Sequence, residues 1–342
     1  MSALIFGSFL YYIFLSKYKF EKRLQFLLNF LPLIFIVAVR PFDWGADAET
    51  YIEMYNMVNS GQNTGTEISF SILSRFVFFL CNSVKLLFII YAFISLNLKL
   101  KVIEKISCFP AFSVLLYFSC WFVLHDVYQI RVGVAIAISY FSLIYLWNKD
   151  YLKFLFFAFL ATLFHTQASV LFLLILLPKN KISIYSVVIL GFIIFASYAT
   201  YFLKIDLLSE ILDFLSRSSF PRASQIKYYY EIAQSGIIDL GKINAFSPIV
   251  LVRLFLTLIL LFQYKKLNDF QFYPVLIRIL TLSFAVRMFF YPVPVIGMRI
   301  YEFFTCLDIF MFPLFFKLIR EKNAVFAILI LYCLFMLFIV LR

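Results

Sequence analysis

Apolar residues in this chain gather into long unbroken runs separated by short polar stretches. Runs occupy positions 3–15, 24–39, 86–98, 110–124, 130–147, 152–164, 168–177, 184–202, 248–262, 272–290, 300–316 and 324–341. They are continuous rather than alternating, so they predict helices and exclude an outer-membrane barrel. An upright membrane span needs roughly 20 apolar residues. Several runs are shorter, and the pair flanking His165 is especially short. That pair predicts one long bent helix or a re-entrant hairpin. The expectation is an all-α polytopic membrane protein with ten to twelve crossings, forming one transmembrane domain over 1–342.

The intervening polar stretches carry a regular charge pattern. Lys17, Lys19, Lys22 and Arg23 follow the first run; Lys99, Lys101 and Lys105 follow the third. Lys149 and Lys153, Lys179 and Lys181, Lys265 and Lys266, and Lys317, Arg320 and Lys322 continue the series. These clusters fall in every second loop, the signature of cytoplasmic loops. Both termini are then expected outside. The outward loops carry arginines instead: Arg40, Arg131, Arg217, Arg222 and Arg299, with Arg75, Arg253 and Arg287 near the same face. Two outward segments are long. The first, 40–83, begins as an acidic loop with Trp44, Tyr51 and Tyr55 and ends in an amphipathic stretch over 70–82. The second, 203–247, opens with Ile205, Leu208, Ile211, Leu212 and Leu215 on one face and Asp206, Ser209, Glu210 and Asp213 on the other. This pattern suits a helix lying in the membrane interface.

Composition agrees with this picture. The 342 residues are 64% hydrophobic and only 14% charged, with a mean hydropathy of +0.97. A soluble domain has about 45–50% apolar and about 25% charged residues, so a soluble enzyme is excluded. The net charge of +12 follows membrane topology, and no nucleic-acid partner is expected. Five scattered cysteines form no CxxC or Cys/His cluster, so neither a disulfide framework nor a metal site is expected, and no cofactor is implied. The first run lacks a basic leader, which speaks against a cleavable signal peptide.

Ionisable groups at membrane depth are costly and therefore candidate functional groups. His125 opens the compact polar patch His125-Asp126-Val127-Tyr128-Gln129-Ile130-Arg131, and His165 lies between two short runs. Outward arginines suit a lipid-linked phosphate or pyrophosphate, because a guanidinium offers a planar fork and keeps its charge. Arg40, Arg131 and Arg299 each sit where an apolar run meets a polar segment. Arg287 lies deeper in its run and can reach the outward side, whereas Arg278 suits snorkelling or internal pairing. Asp43, Asp47, Glu49 and Glu53 cluster in the first outward segment, where Asp47 and Tyr51 would share a helix face. Tyr228-Tyr229-Tyr230 and Trp44 could stack on sugar rings.

Five segments together resemble the EpsG-like branch of the Wzy-type O-antigen and exopolysaccharide polymerases. They are Arg40-Pro41-Phe42-Asp43-Trp44-Gly45-Ala46-Asp47-Ala48-Glu49-Thr50-Tyr51, Glu67-Ile68-Ser69-Phe70-Ser71-Ile72-Leu73 and Gln129-Ile130-Arg131-Val132-Gly133-Val134-Ala135. Phe164-His165-Thr166-Gln167-Ala168-Ser169 and Arg299-Ile300-Tyr301-Glu302-Phe303-Phe304 complete the set. The family commonly has Pro where this chain has Ile68. The resemblance implies a GT-C-like architecture in the bacterial cytoplasmic membrane with the active site facing outward. It implies joining of oligosaccharide repeat units carried on undecaprenyl pyrophosphate, with release of that diphosphate and no need of a metal. A chain-length regulator is a conceivable protein partner. Within that chemistry, His165, Asp47 and Asp126 are the candidates for proton handling, with the choice of base left open. Arg40, Arg131, Arg299, Arg287, His125, Tyr51 and Glu302 are the candidates for substrate and pyrophosphate binding. An O-antigen ligase, another polyprenyl-linked glycosyltransferase, a flippase and a membrane acyltransferase are the competing readings.

Overall fold

The computed structural model describes residues 1–18, 20–41, 44–45, 47–62, 65–217, 223–235 and 242–341, without the side chains of 215–217, 223–226 and 229. Asp43 and Arg222, and the side chains of Arg217 and Tyr229, therefore lie outside the described residues. Every regular element among the described residues is helical.

The chain divides into two compact units, Met1–Leu176 with Asp308–Arg342, and Leu177–Leu307. The first begins with α1 (Ser2–Lys17), α2 (Lys22–Val39), α3 (Ala48–Asn59), α4 (Ile68–Cys81), α5 (Val84–Ile106) and α6 (Pro110–Tyr117). α6 widens into a π-helix over Phe118–Tyr128, followed by α7 (Ile130–Trp147), α8 (Tyr151–Phe164) and a 3₁₀ helix over Thr166–Leu176. The second unit holds α9 (Ile184–Phe202), α10 (Leu207–Arg217), α11 (Ala223–Ser235), α12 (Pro248–Phe262), α13 (Tyr264–Leu267), α14 (Tyr273–Phe289) and α15 (Pro294–Thr305). The chain then rejoins the first unit with α16 (Asp308–Met311), a 3₁₀ turn at Phe312–Leu314, α17 (Phe315–Leu318) and α18 (Lys322–Val340). Among the described residues, six helical stretches are long and apolar enough to cross a membrane, and five further apolar helices are shorter.

Most apolar runs become helices close to their expected limits, and the deviations have local causes. The short run after His165 is a 3₁₀ helix, which rises about 2.0 Å per residue and so carries few residues further than an α-helix does. The penultimate run is not one helix from position 300. Pro294 starts α15 early, since a proline at the first helical position loses no hydrogen bond. Arg299 is consequently an exposed residue inside α15 rather than its first residue. The helix then breaks at Cys306–Leu307, and Pro313, which has no backbone N–H, sits in the following 3₁₀ turn.

A second departure concerns Lys99, expected in a basic loop. It lies inside α5 with a relative exposure of 1%. Its Nζ is 2.6 Å from Asp126 Oδ2 on the π-helix. The Tyr117 hydroxyl donates to the same oxygen at 2.5 Å, and the Ser95 hydroxyl donates to Oδ1. A lysine buried among apolar helices must be neutralised, and Asp126 does this, so α5 continues to Ile106 and only Lys101 and Lys105 remain exposed. Gly133 lets α7 approach this knot. A Cβ there would meet the His125 carbonyl oxygen and Asp126 Oδ1.

Removing one partner of a buried pair strands the other, at about 3–5 kcal/mol, whereas replacing both with apolar groups is often neutral. Asp126→Ala should therefore sharply lower the thermal stability of the detergent-solubilised protein. The double variant Lys99→Met/Asp126→Leu should recover most of that loss. Equal melting temperatures for Asp126→Ala and wild type would contradict the pairing.

Candidate functional site

Glu67 is the hub of a polar cluster in the first unit. It precedes α4 in an extended conformation, and its side chain is only 7% exposed. Arg131, the second residue of α7, donates from Nη1 to Glu67 Oε2. His165, in extended backbone, closes α8, and its Nδ1 lies 3.3 Å from Glu67 Oε1. The Thr166 N–H donates to that same oxygen at 3.3 Å. One carboxylate thus ties together the starts of α4 and α7 and the break between α8 and the 3₁₀ helix. On its other edge, His165 Nε2 is 3.0 Å from the side-chain amide of Gln167.

Aromatic rings wall this cluster. The Arg131 guanidinium lies 5.3 Å from the Tyr51 ring and 5.8 Å from that of Phe70. Tyr51 is buried in α3 and packs edge-on against Phe88 at 6.2 Å. Phe88 in turn lies under Arg40, whose guanidinium carbon is 3.9 Å from the ring centre. Tyr51 and Phe88 therefore link Arg40 to Arg131.

Arg40 follows the last residue of α2 and is 3% exposed. Its Nη1 donates to the Val127 carbonyl on the π-helix. Its Nε and Nη2 have no hydrogen-bond partner among the described residues, and neither has Arg131 Nε. Buried donors left open in this way are costly in isolation and suited to an arriving anion. Trp44, half-buried, meets Tyr128 edge-on at 5.6 Å. Gly45 is required beside it, with φ +114° and no room for a Cβ against the Tyr128 ring. Asp47 precedes α3, where its carbonyl accepts from the Tyr51 N–H at 3.0 Å.

The remaining candidates are placed elsewhere. His125 is 1% exposed and stacks on Trp121 at 5.2 Å. Asp126 spends both oxygens on Ser95, Lys99 and Tyr117. In the second unit, Arg287 donates from Nη1 to the Asn244 carbonyl at 3.2 Å and lies over the Tyr301 ring at 5.6 Å. Arg299 and the half-buried Glu302 are three residues apart on α15, and Arg253 is buried on α12. Arg278 is filled by the Asn180 carbonyl, Asn180 Oδ1 and the Pro274 carbonyl, the second of the two arrangements expected for it. Sequence reasoning did not single out Glu67 as a site residue. Its signals were its place ahead of the α4 segment and at the head of one of the five family-like segments; its partners were hidden, because Arg131 is 64 residues away and Thr166 is 99 away in sequence.

Burial pushes the Glu67 carboxyl up, but the His165 contact and the Arg131 charge outweigh it and bring the pKa from about 4.5 to about 2. A depressed carboxyl stabilises the fold fully above its unfolded value and loses that contribution as pH falls toward the folded one. The melting-temperature gap between wild type and Glu67→Gln should be constant from about pH 8 to about pH 5 and narrow below about pH 4.5. A gap unchanged at about pH 3.5 would contradict the ionised cluster.

Comparison with protein families gives a match to the EpsG family over residues 23–342. Neither curated proteins nor solved structures give a match. The family match spans nearly the whole chain and includes both helical units. The chain belongs to the EpsG family.

Proposed function

We propose that this EpsG-family protein is a glycosyltransferase that polymerises oligosaccharide repeat units carried on undecaprenyl pyrophosphate, at the outer face of the bacterial cytoplasmic membrane. The hydroxyl oxygen at the non-reducing end of one lipid-linked unit attacks the anomeric carbon of the growing chain. The bond from that carbon to the diphosphate oxygen breaks, undecaprenyl pyrophosphate leaves, and the hydroxyl proton passes to a base. The alternation of basic loops supports the orientation, because it sets both the 40–83 segment and the helix end at His165 on the outward side.

The observation that carries this reading is that Arg40 and Arg131, linked through Phe88 and Tyr51, keep open donors in the unit that holds His165, in a chain of this family. The leaving group is a diphosphate, and donors already in place where its charge develops lower the barrier. Arg40 offers Nε and Nη2, and Arg131 offers Nε, all buried and open among the described residues. His165 is the base, since its Nε2 lies at the rim of the same cluster. Tyr51 supports Arg131, and Asp47 sits at the start of the helix carrying Tyr51. His125 and Asp126 act by shaping the π-helix whose Val127 carbonyl holds Arg40. In the second unit, Arg287 and Arg299 with Glu302 are the residues assigned to the lipid-linked substrate.

Deletion of the gene should leave glycans with one repeat unit in place of a ladder, in a host without a second polymerase. Arg131→Lys keeps the charge but loses the planar fork. Losing one preorganised donor slows a reaction by about 10²–10³-fold, so this variant should reach the membrane at normal levels yet give mainly single-repeat glycan. Lys266→Ala should leave the ladder unchanged. A normal ladder from Arg131→Lys at equal expression would overturn the assignment of Arg131.

A further inference from the structure

Glu67 belongs to neither the diphosphate donors nor the base, yet it accepts from Arg131 and lies 3.3 Å from His165 Nδ1. We propose that Glu67 is a positioning residue for the transfer reaction, turning the Nδ1 edge of His165 toward itself so that Nε2 is the nitrogen that accepts the acceptor hydroxyl's proton. This inference rests on the polymerase reading above.

The geometry makes the case atom by atom. Glu67 Oε2 receives Arg131. Oε1 receives the Thr166 N–H and faces His165 Nδ1, both at 3.3 Å. An ionised carboxylate only accepts, so the imidazole nitrogen facing it is best served by carrying a proton. A neutral imidazole has one N–H, and placing it on Nδ1 leaves the lone pair on Nε2. Nε2 lies 3.0 Å from Oε1 of half-buried Gln167; with the ring proton on Nδ1, that amide turns its NH2 to Nε2, a neutral contact that a hydroxyl can replace. In the transfer, the hydroxyl proton moves to Nε2 while its oxygen bonds the anomeric carbon. The electron pair of the broken bond leaves with the diphosphate. The resulting imidazolium then faces the Glu67 carboxylate, which offsets its charge. The same carboxylate fixes Arg131, so base and diphosphate donor are held at one spacing. A carboxylate that only braced the helices would have no reason to act through His165.

The test is a double-mutant cycle on purified protein in nanodiscs, supplied with a lipid-linked repeat unit as the only substrate. Correct proton placement contributes roughly 10²–10⁴-fold to a rate, so Glu67→Gln should lower kcat by about 10²-fold or more with KM within about threefold. His165→Ala should produce a loss of similar size. Residues acting as a unit are non-additive, so the double variant should be within about threefold of the weaker single variant. Multiplying effects, or a Glu67→Gln kcat near that of wild type, would overturn the proposal. If Glu67→Gln does not give a monodisperse protein, Glu67→Asp keeps the charge but shortens the reach. It should lower kcat by about tenfold or more at unchanged KM, within the same catalytic range, and an unchanged kcat would overturn the proposal. Wild-type protein that elongates nothing would instead overturn the polymerase reading itself.

Discussion

A charge inside an apolar helical bundle has no water to fall back on, and the first unit is organised around that fact. Lys99 and Asp126 neutralise one another with exposures of 1% each. Desolvating both ions is expensive, and Ser95 and Tyr117 complete the hydrogen bonding that makes the pair tolerable. The pair fixes the π-helix against α5, and Gly133 brings α7 against the same stretch. π-helical turns are rare and recur at functional sites. Here the next residue after the knot, Val127, turns its carbonyl to Arg40. The interior pair therefore lies next to the backbone carbonyl that holds Arg40, although neither of its members touches substrate in the proposed reaction.

The second cluster follows the same logic at the edge of the bundle. Glu67 collects Arg131, His165 and the Thr166 N–H, and aromatic rings remove water from around the two arginines. The two carboxylates divide the work. Asp126 is fully engaged with groups of the interior, while Glu67 engages the groups proposed to meet the substrate. Among the described residues of this cluster, open donor edges belong to Arg40 and Arg131, which suits the proposed meeting with a diphosphate.

Much of this fold is legible in the sequence because lipid requires long apolar runs. The runs at 130–147 and 184–202 coincide with α7 and α9. Legibility fails where a local charge rule meets a tertiary partner. Counting lysines placed Lys99 in a loop, since nothing near it in sequence reveals Asp126, 27 residues on. Placing a helix start at Arg299 overlooked Pro294, a start signal inside an apolar stretch. The segments around Arg40, Arg131 and His165 stand out because the arginines sit where apolar runs meet polar segments and the chain has only two histidines. Their common partner Glu67 does not, because its role exists only once α4, α7 and α8 have packed. Asp126 shows the converse: a conspicuous acid in a polar patch whose partners are structural.

The central claim is that Arg40, Arg131 and His165 serve sugar transfer with loss of a lipid diphosphate. The most direct measurement is a stoichiometry on purified protein reconstituted with undecaprenyl-pyrophosphate-linked repeat units. Undecaprenyl pyrophosphate release and glycosidic linkages would be counted in the same reaction. The account predicts a ladder of products with one diphosphate released per linkage formed. Movement of intact lipid-linked units between leaflets with no release of diphosphate and no new linkage would contradict it.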